Sequence, residues 1–219
     1  MKTRNEYLIN LTKMNTMSIF KKTSLWALLI ISLAATSCTN DDDEVPEEEN
    51  DLEVITDITL VFTNIDNDQD VVRAKAQDPD GIGVEELKIL GPINLDGDKT
   101  YTLTLEIMNN LEDPGESITE EIEEEDQEHQ LFFGFSNDAF SNPMGDGNID
   151  NASDPINYND SDANGNSVGL STNWSTEGSQ VSSGTFTVRL QHQPDVKTAS
   201  SGATDGDTDF ELQFVLNIQ

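Results

Sequence analysis

The sequence predicts an all-β fold, an antiparallel immunoglobulin-like β-sandwich with one short acidic helix. Three observations predict it. Apolar and polar residues alternate with a period of two in short segments from Leu52 onward, the pattern of strands with one buried face. Turn sequences such as Asp78-Pro79-Asp80-Gly81 and Leu95-Asp96-Gly97-Asp98 separate those segments, as sandwiches require. A helical signature occurs once, around Ser117.

The first element lies ahead of the domain. Lys21 and Lys22 precede the apolar run Leu25-Trp26-Ala27-Leu28-Leu29-Ile30-Ile31-Ser32-Leu33-Ala34-Ala35. A charged start and a run this short read as an export leader rather than a permanent span. Small residues Thr36 and Ser37 then lead into Cys38, the only cysteine. The arrangement resembles a lipobox, although Ala35 stands where leucine is usual. The expectation is a signal peptide over 1–37 and a diacylglycerol-modified Cys38 anchored in a membrane. Met14 or Met17 would give a leader of ordinary length. A lone cysteine also excludes internal disulfides and thiol-based metal sites.

Residues 38–51 form a polyanionic tether, Asp41-Asp42-Asp43-Glu44 and Glu47-Glu48-Glu49 among them. Such a run extends by self-repulsion. An acidic patch directly behind the cysteine resembles the surface-export signal of Bacteroidetes lipoproteins, which implies the outer face of the outer membrane.

The domain is expected over 52–219. Strands are predicted over 54–63, 71–76, 84–90, 101–107, 131–135, 168–174, 184–192 and 210–218. The clearest has Tyr101, Leu103, Leu105 and Ile107 alternating with Thr102, Thr104 and Glu106. Ser117 and Glu120 match a capping box, Ile118 and Ile122 share a face, and acids fill the first turns. These features predict a helix over 118–127. Two long loops, 136–167 and 193–209, remain; loops of this length are usually functional, ligand-ordered or disordered.

The formal net charge is −32, and the leader holds five of the 11 basic residues with only one of the 43 acids. So negative a surface repels nucleic acid and anionic lipid headgroups and attracts cations. Asp160-Ser161-Asp162-Ala163-Asn164-Gly165-Asn166 matches the first half of an EF-hand loop. Ser171 occupies the position where the bidentate Glu belongs. Asp160, Asp162 and Asn164 are therefore candidate Ca²⁺ ligands of weak affinity, about 10⁻⁴–10⁻³ M, with Asp146, Asp150 and Asp154 as further donors. Asp66, Asp68 and Asp70 fit a solvated hairpin loop.

The chain has two histidines, His129 and His192. If their strand ends meet, two imidazoles with Glu128 or Glu125 offer a seat for Zn²⁺, Fe or haem iron. Two hydrogen-bonded or surface histidines are the plainer alternative. The surrounding acids are expected to raise both histidine pKa values. No GxSxG, P-loop or HExxH occurs, so an enzyme is not expected. Trp174 is expected in the core.

With the lipobox, the acidic tether, the strand-rich domain and the segment Glu128-His129-Gln130-Leu131-Phe132-Phe133 in place, the chain resembles an uncharacterised family of Bacteroidetes (flavobacterial) outer-membrane lipoproteins. The likeness covers about 52–219. It implies an association with TonB-dependent receptors and a part in nutrient or metal capture. The leading expectation is a non-enzymatic, surface-exposed ligand- or metal-binding accessory to outer-membrane uptake. The alternatives are a structural or adhesive module with Ca²⁺-ordered loops and, third, a hydrolase with paired carboxylates.

Overall fold

A computed structural model of the chain describes residues 53–81 and 86–219. The leader, Cys38, the tether and the start of the weak third strand at 84–85 lie outside the described residues. Eleven strands and one helix follow in order: β1 (Asp57–Asn64), β2 (Val71–Gln77), β3 (Lys88–Ile89), β4 (Ile93–Leu95), β5 (Thr100–Asn109), β6 (Glu116–Ser117), α1 (Ile118–Glu124), β7 (His129–Phe135), β8 (Phe140–Asn142), β9 (Ser171–Thr176), β10 (Val181–His192) and β11 (Asp207–Ile218). Among the described residues no helix is long and apolar enough to cross a membrane.

The strands form the two sheets of a β-sandwich. One sheet has the order β3-β2-β1-β5-β9-β8, with β6 beside β5; the other has the order β4-β11-β10-β7. All pairings are antiparallel except β4 with β11, which is parallel. The alternation read in the sequence is the alternation of burial. Ile58, Leu60 and Phe62 of β1 lie in register with Ile107, Leu105 and Leu103 of β5, and all six turn into the core. Phe210, Leu212, Phe214 and Leu216 do the same in β11.

Aromatic rings join the sheets. Trp174 of β9 meets Phe186 of β10 at 5.0 Å between ring centroids and Phe133 of β7 at 5.4 Å. Phe62 of β1 reaches Phe186 from the first sheet at 5.7 Å, edge to face. Edge-to-face contacts set the positive ring edge against the negative face. Trp174, Phe186, Phe133 and Phe62 are all fully buried.

Three short strands were not anticipated, β4, β8 and the two-residue β6. β4 and β8 have three residues each, too few to show a period. The expected strand over 168–174 begins three residues later, at Ser171. The preceding stretch instead spans the open side of the sandwich. Val168 O accepts from Leu131 N in β7 (2.7 Å), and Leu170 O accepts from Leu105 N in β5 (3.3 Å).

The long loop after β8 closes the outer edge of β7. Asn148 Oδ1 accepts from Phe133 N at 2.9 Å, and Tyr158 Oη donates to Leu131 O at 2.7 Å. Covering this edge removes a template for unwanted strand pairing. The helix forms as the capping box requires, with Ser117 Oγ accepting from Glu120 N at 3.3 Å and Ile118 and Ile122 buried. It stops at Glu124 rather than running to 127. Glu123, Glu124, Glu125 and Asp126 crowd the negative end of the helix dipole, which disfavours further turns. The chain must also extend from His129 to pair with β10.

Replacing Phe186, which touches rings from both sheets, with alanine is expected to cost about 3–5 kcal/mol. Denaturant titration of the wild type and Phe186→Ala checks this; a loss below about 1 kcal/mol would mean that the ring cluster does not hold the sheets together.

Candidate functional site

The alternation that builds the core also builds the site. In β7, His129, Leu131, Phe133 and Phe135 fall on one face; in β10, Phe186, Val188, Leu190 and His192 do so. The apolar members of both rows belong to the core. Each histidine therefore continues an inward-facing row at the end of the sandwich. Cross-strand register places His192 directly opposite His129. The imidazoles stack at 4.6 Å between centroids with planes 4° apart, and both residues are buried. The two sequence-distant histidines thus meet.

A β-bulge brings in a third group. Leu190 pairs with Phe210 but Gln191 pairs with Thr208, so Asp209 is an extra residue in β11. Bulges re-aim side chains. This one sends the Asp209 carboxylate inward, where Oδ2 lies 4.0 Å from His129 Nε2 and the side chain is fully inaccessible. Glu53, just ahead of β1, supplies a fourth group. Its N–H donates to Asp209 Oδ1 at 3.3 Å, and its Oε1 lies 3.7 Å from His129 Nε2. Glu128 Oε2 stands 3.6 Å from His192 Nε2. Glu125, His129 and His192 each offer a donor atom within 4.8 Å of the others.

Hydrogen bonding identifies the tautomer of neutral His129. Its Nδ1 faces the Glu125 carbonyl at 3.3 Å. A carbonyl only accepts, so Nδ1 carries the proton and Nε2 presents its lone pair. That lone pair faces two carboxyl groups. His129 Nε2, His192 Nδ1 and Asp209 Oδ2 are all buried without a hydrogen-bond partner in the protein. Such atoms are few in native folds, and here three of them gather at one end of the sandwich.

The acid field does not raise the pKa of His129. Burial pulls it down to about 4, aided by the stacked His192. Burial pushes Glu53 up to about 7, helped by the charges of Glu121 and Asp209. Burial also raises Asp209, to about 6. At 3.7–4.0 Å an ionised carboxylate would favour imidazolium. Desolvation wins, because the same burial keeps the carboxyls protonated over the range where His129 loses its proton.

The Asp160–Asn166 loop is organised from within. Asp160 accepts from Gly169 N and Ser171 N at 2.8 and 3.0 Å. Asp162 accepts from Asn164 N and Asn166 N at 2.8 Å each, while Asn164 Nδ2 donates to Gln127 at 3.1 Å. The carboxylates of Asp160 and Asp162 thus serve backbone amides in the loop and just after it. A cation is nonetheless present: Lys197 Nζ, with its side chain buried, lies 3.4 Å from Asp162 Oδ2 and donates to the Asp126 carbonyl. Burial pulls the Lys197 pKa down and the Asp162 charge opposes this. Asp146, Asp150 and Asp154 bring carboxylate oxygens within 4.8 Å of one another on the surface of the long loop. In the β1–β2 turn, Asp70 accepts from Asn64 Nδ2 at 2.8 Å and Asp66 N donates to Asn64 Oδ1 at 3.0 Å.

Glu53 and Asp209 were missed by sequence reasoning. Asp209 carries no local signal, since the bulge appears only when β10 and β11 are aligned. The inward direction of the histidines was legible in the His-x-Leu-x-Phe and Val-x-Leu-x-His alternation. No family model, no curated protein and no solved structure matches the chain.

Asp209 has a folded pKa above its unfolded value. The stability it contributes is therefore complete below pH 4 and is lost as pH rises through about 6. Asp209→Asn keeps the shape and removes that loss. It is expected to stabilise the protein at pH 8 by up to about 3 kcal/mol and to change little at pH 4; denaturant titrations at both pH values check it. Lys197→Met strands the buried Asp162 carboxylate and is expected to cost about 3 kcal/mol. Limited proteolysis of the variant is expected to cut within 151–167 and 194–206 before the strands.

Proposed function

We propose that this protein is a surface-tethered, non-enzymatic binding protein that captures a divalent transition-metal ion at its histidine end and serves as an accessory to outer-membrane uptake. One observation carries the proposal: two buried imidazoles meet across β7 and β10, each with a ring nitrogen lacking a partner, and the Glu125 carboxylate is within reach of both. Imidazole with carboxylate is the donor set that Zn²⁺ and Fe²⁺ take. The net charge of −32 concentrates cations around the domain.

The stack sets a condition on binding. Parallel rings direct their lone pairs in parallel planes, so one ion cannot lie in both planes. Shared coordination requires one ring to turn out of the stack, and His192, at the end of its strand, is placed to do so. In this reading Cys38 carries the lipid anchor at the outer face of the outer membrane, residues 38–51 act as the leash, and a TonB-dependent receptor is the partner that receives the cargo.

A second reading has one observation in its favour, the convergence of Asp146, Asp150 and Asp154. It makes the domain a structural or adhesive module whose long loop Ca²⁺ orders. Chelation would then speed proteolysis within 136–167 while transition metals leave the protein unchanged.

Calorimetric titration with Zn²⁺ and Fe²⁺, read alongside thermal unfolding, tests the proposal. Saturation at a hundred times Kd is expected to add about 2.7 kcal/mol of stability. His129→Gln is expected to abolish the effect, and the His192 ring resonances should shift on binding. Neither heat nor stabilisation with Zn²⁺, Fe²⁺, haem or Ca²⁺ would end the metal reading.

A further inference from the structure

Glu53 belongs to the last few residues between the acidic tether and β1, yet its side chain reaches the buried histidine. Its Oε1 and Asp209 Oδ2 lie 3.7 and 4.0 Å from His129 Nε2. Both separations exceed a hydrogen bond. Each pair alone approaches the spacing of two donors around one ion, because metal–ligand bonds of about 2.0–2.2 Å at a tetrahedral angle hold donors roughly 3.4 Å apart; the two carboxylates must draw together for one ion to touch all three groups. The His129 side of this gap is already prepared. Nδ1–H is held by the Glu125 carbonyl, the outer hydrogen bond that metal-bound histidines generally make, so Nε2 is the ligating nitrogen. The buried Asp209 Oδ2 and His129 Nε2 have no protein partner. On the other side of Asp209, Oδ1 accepts the Glu53 N–H. One carboxylate therefore already links the tether junction to the bulge of β11.

We infer that the ion is completed by Glu53 and Asp209, and that its capture clamps the tether junction onto the domain. This rests on the metal-binding reading and deepens it. Beside the His192 ring turned out of the stack, the ion takes Nε2 of His129 and one oxygen each from Glu53 and Asp209, a two-nitrogen, two-oxygen set suited to Zn²⁺, Fe²⁺ or Mn²⁺. Glu53 is the one ligand on the segment leading to the anchor, so loading is felt where the domain meets its leash. A partner that grips the junction would thereby distinguish loaded from empty protein. The two carboxylates also offset the charge of a divalent ion, which lowers the cost of its burial.

The test uses the full chain with Zn²⁺ as probe and two readouts: zinc affinity by calorimetry, and amide hydrogen exchange at Glu53–Thr56 with and without zinc. In the wild type, zinc is expected to slow exchange at the Glu53 amide. Glu53→Gln and Asp209→Asn are expected to weaken zinc by about tenfold or more, and Glu53→Gln to erase the zinc-dependent protection. Denaturant titration of each variant without zinc establishes that it is folded. Wild-type zinc binding with no change at residue 53, or Glu53→Gln binding with full affinity, would overturn the clamp while leaving metal capture intact. Absence of zinc binding in the wild type would overturn the clamp, and failure of Fe²⁺, haem and Ca²⁺ as well would overturn metal capture with it.

Discussion

The constraint on which the structure depends is the two-residue period of paired strands carried through to their ends. In β7 and β10 the inner rows run through phenylalanine, valine and leucine before reaching His129 and His192. Moving either strand by one residue would turn Phe133 or Phe186 to solvent and break the contacts with Trp174. Register is thus held by the apolar core, and the histidines inherit it. They are driven together because the residues beside them must be buried.

Burying polar groups at the end of a core has an electrostatic consequence. The bulge in β11 inserts Asp209, and the approach to β1 inserts Glu53, so two carboxyls and two imidazoles share a space shielded from water. Desolvation then opposes ionisation of Glu53, Asp209 and His129. The carboxyls move up toward neutrality and His129 moves down. Around pH 5, above the His129 value and below those of the carboxyls, the neutral forms of His129, Asp209 and Glu53 prevail although the protein is strongly negative. A cation of fixed charge is the natural complement to such a set, since it compensates the carboxylates that proton loss would otherwise leave exposed to one another.

Elsewhere the acids of the Asp160–Asn166 loop are satisfied locally. The loop resembling half of an EF-hand closes on its own amides, and Lys197 supplies its cation. Lys197 ties three segments together: the turn after α1 through Asp126, the Asp160–Asn166 loop, and the stretch after β10. Two of the longest irregular stretches are therefore fastened to each other and to the edge of β7, close behind the histidine pair. The scarcity of basic residues makes this one ammonium matter more than an ordinary surface lysine, because it lies at a buried junction of loops.

Although surface or hydrogen-bonded histidines were its plainer expectation, the sequence by itself determined the sandwich, the strands with clear alternation and the capped helix. These depend on local period and local chemistry, which neighbours along the chain are enough to express. Leader, lipid site and tether were likewise read from local composition, as expectations. Only the tertiary structure decided the rest. Three-residue strands such as β4 and β8 exist through their partners, and the bulge at Asp209 through a mismatch between two strands. The fall in the His129 pKa reflects burial, which no count of nearby acids reveals. Glu53 enters the site from 76 positions before His129, a distance that folding alone removes.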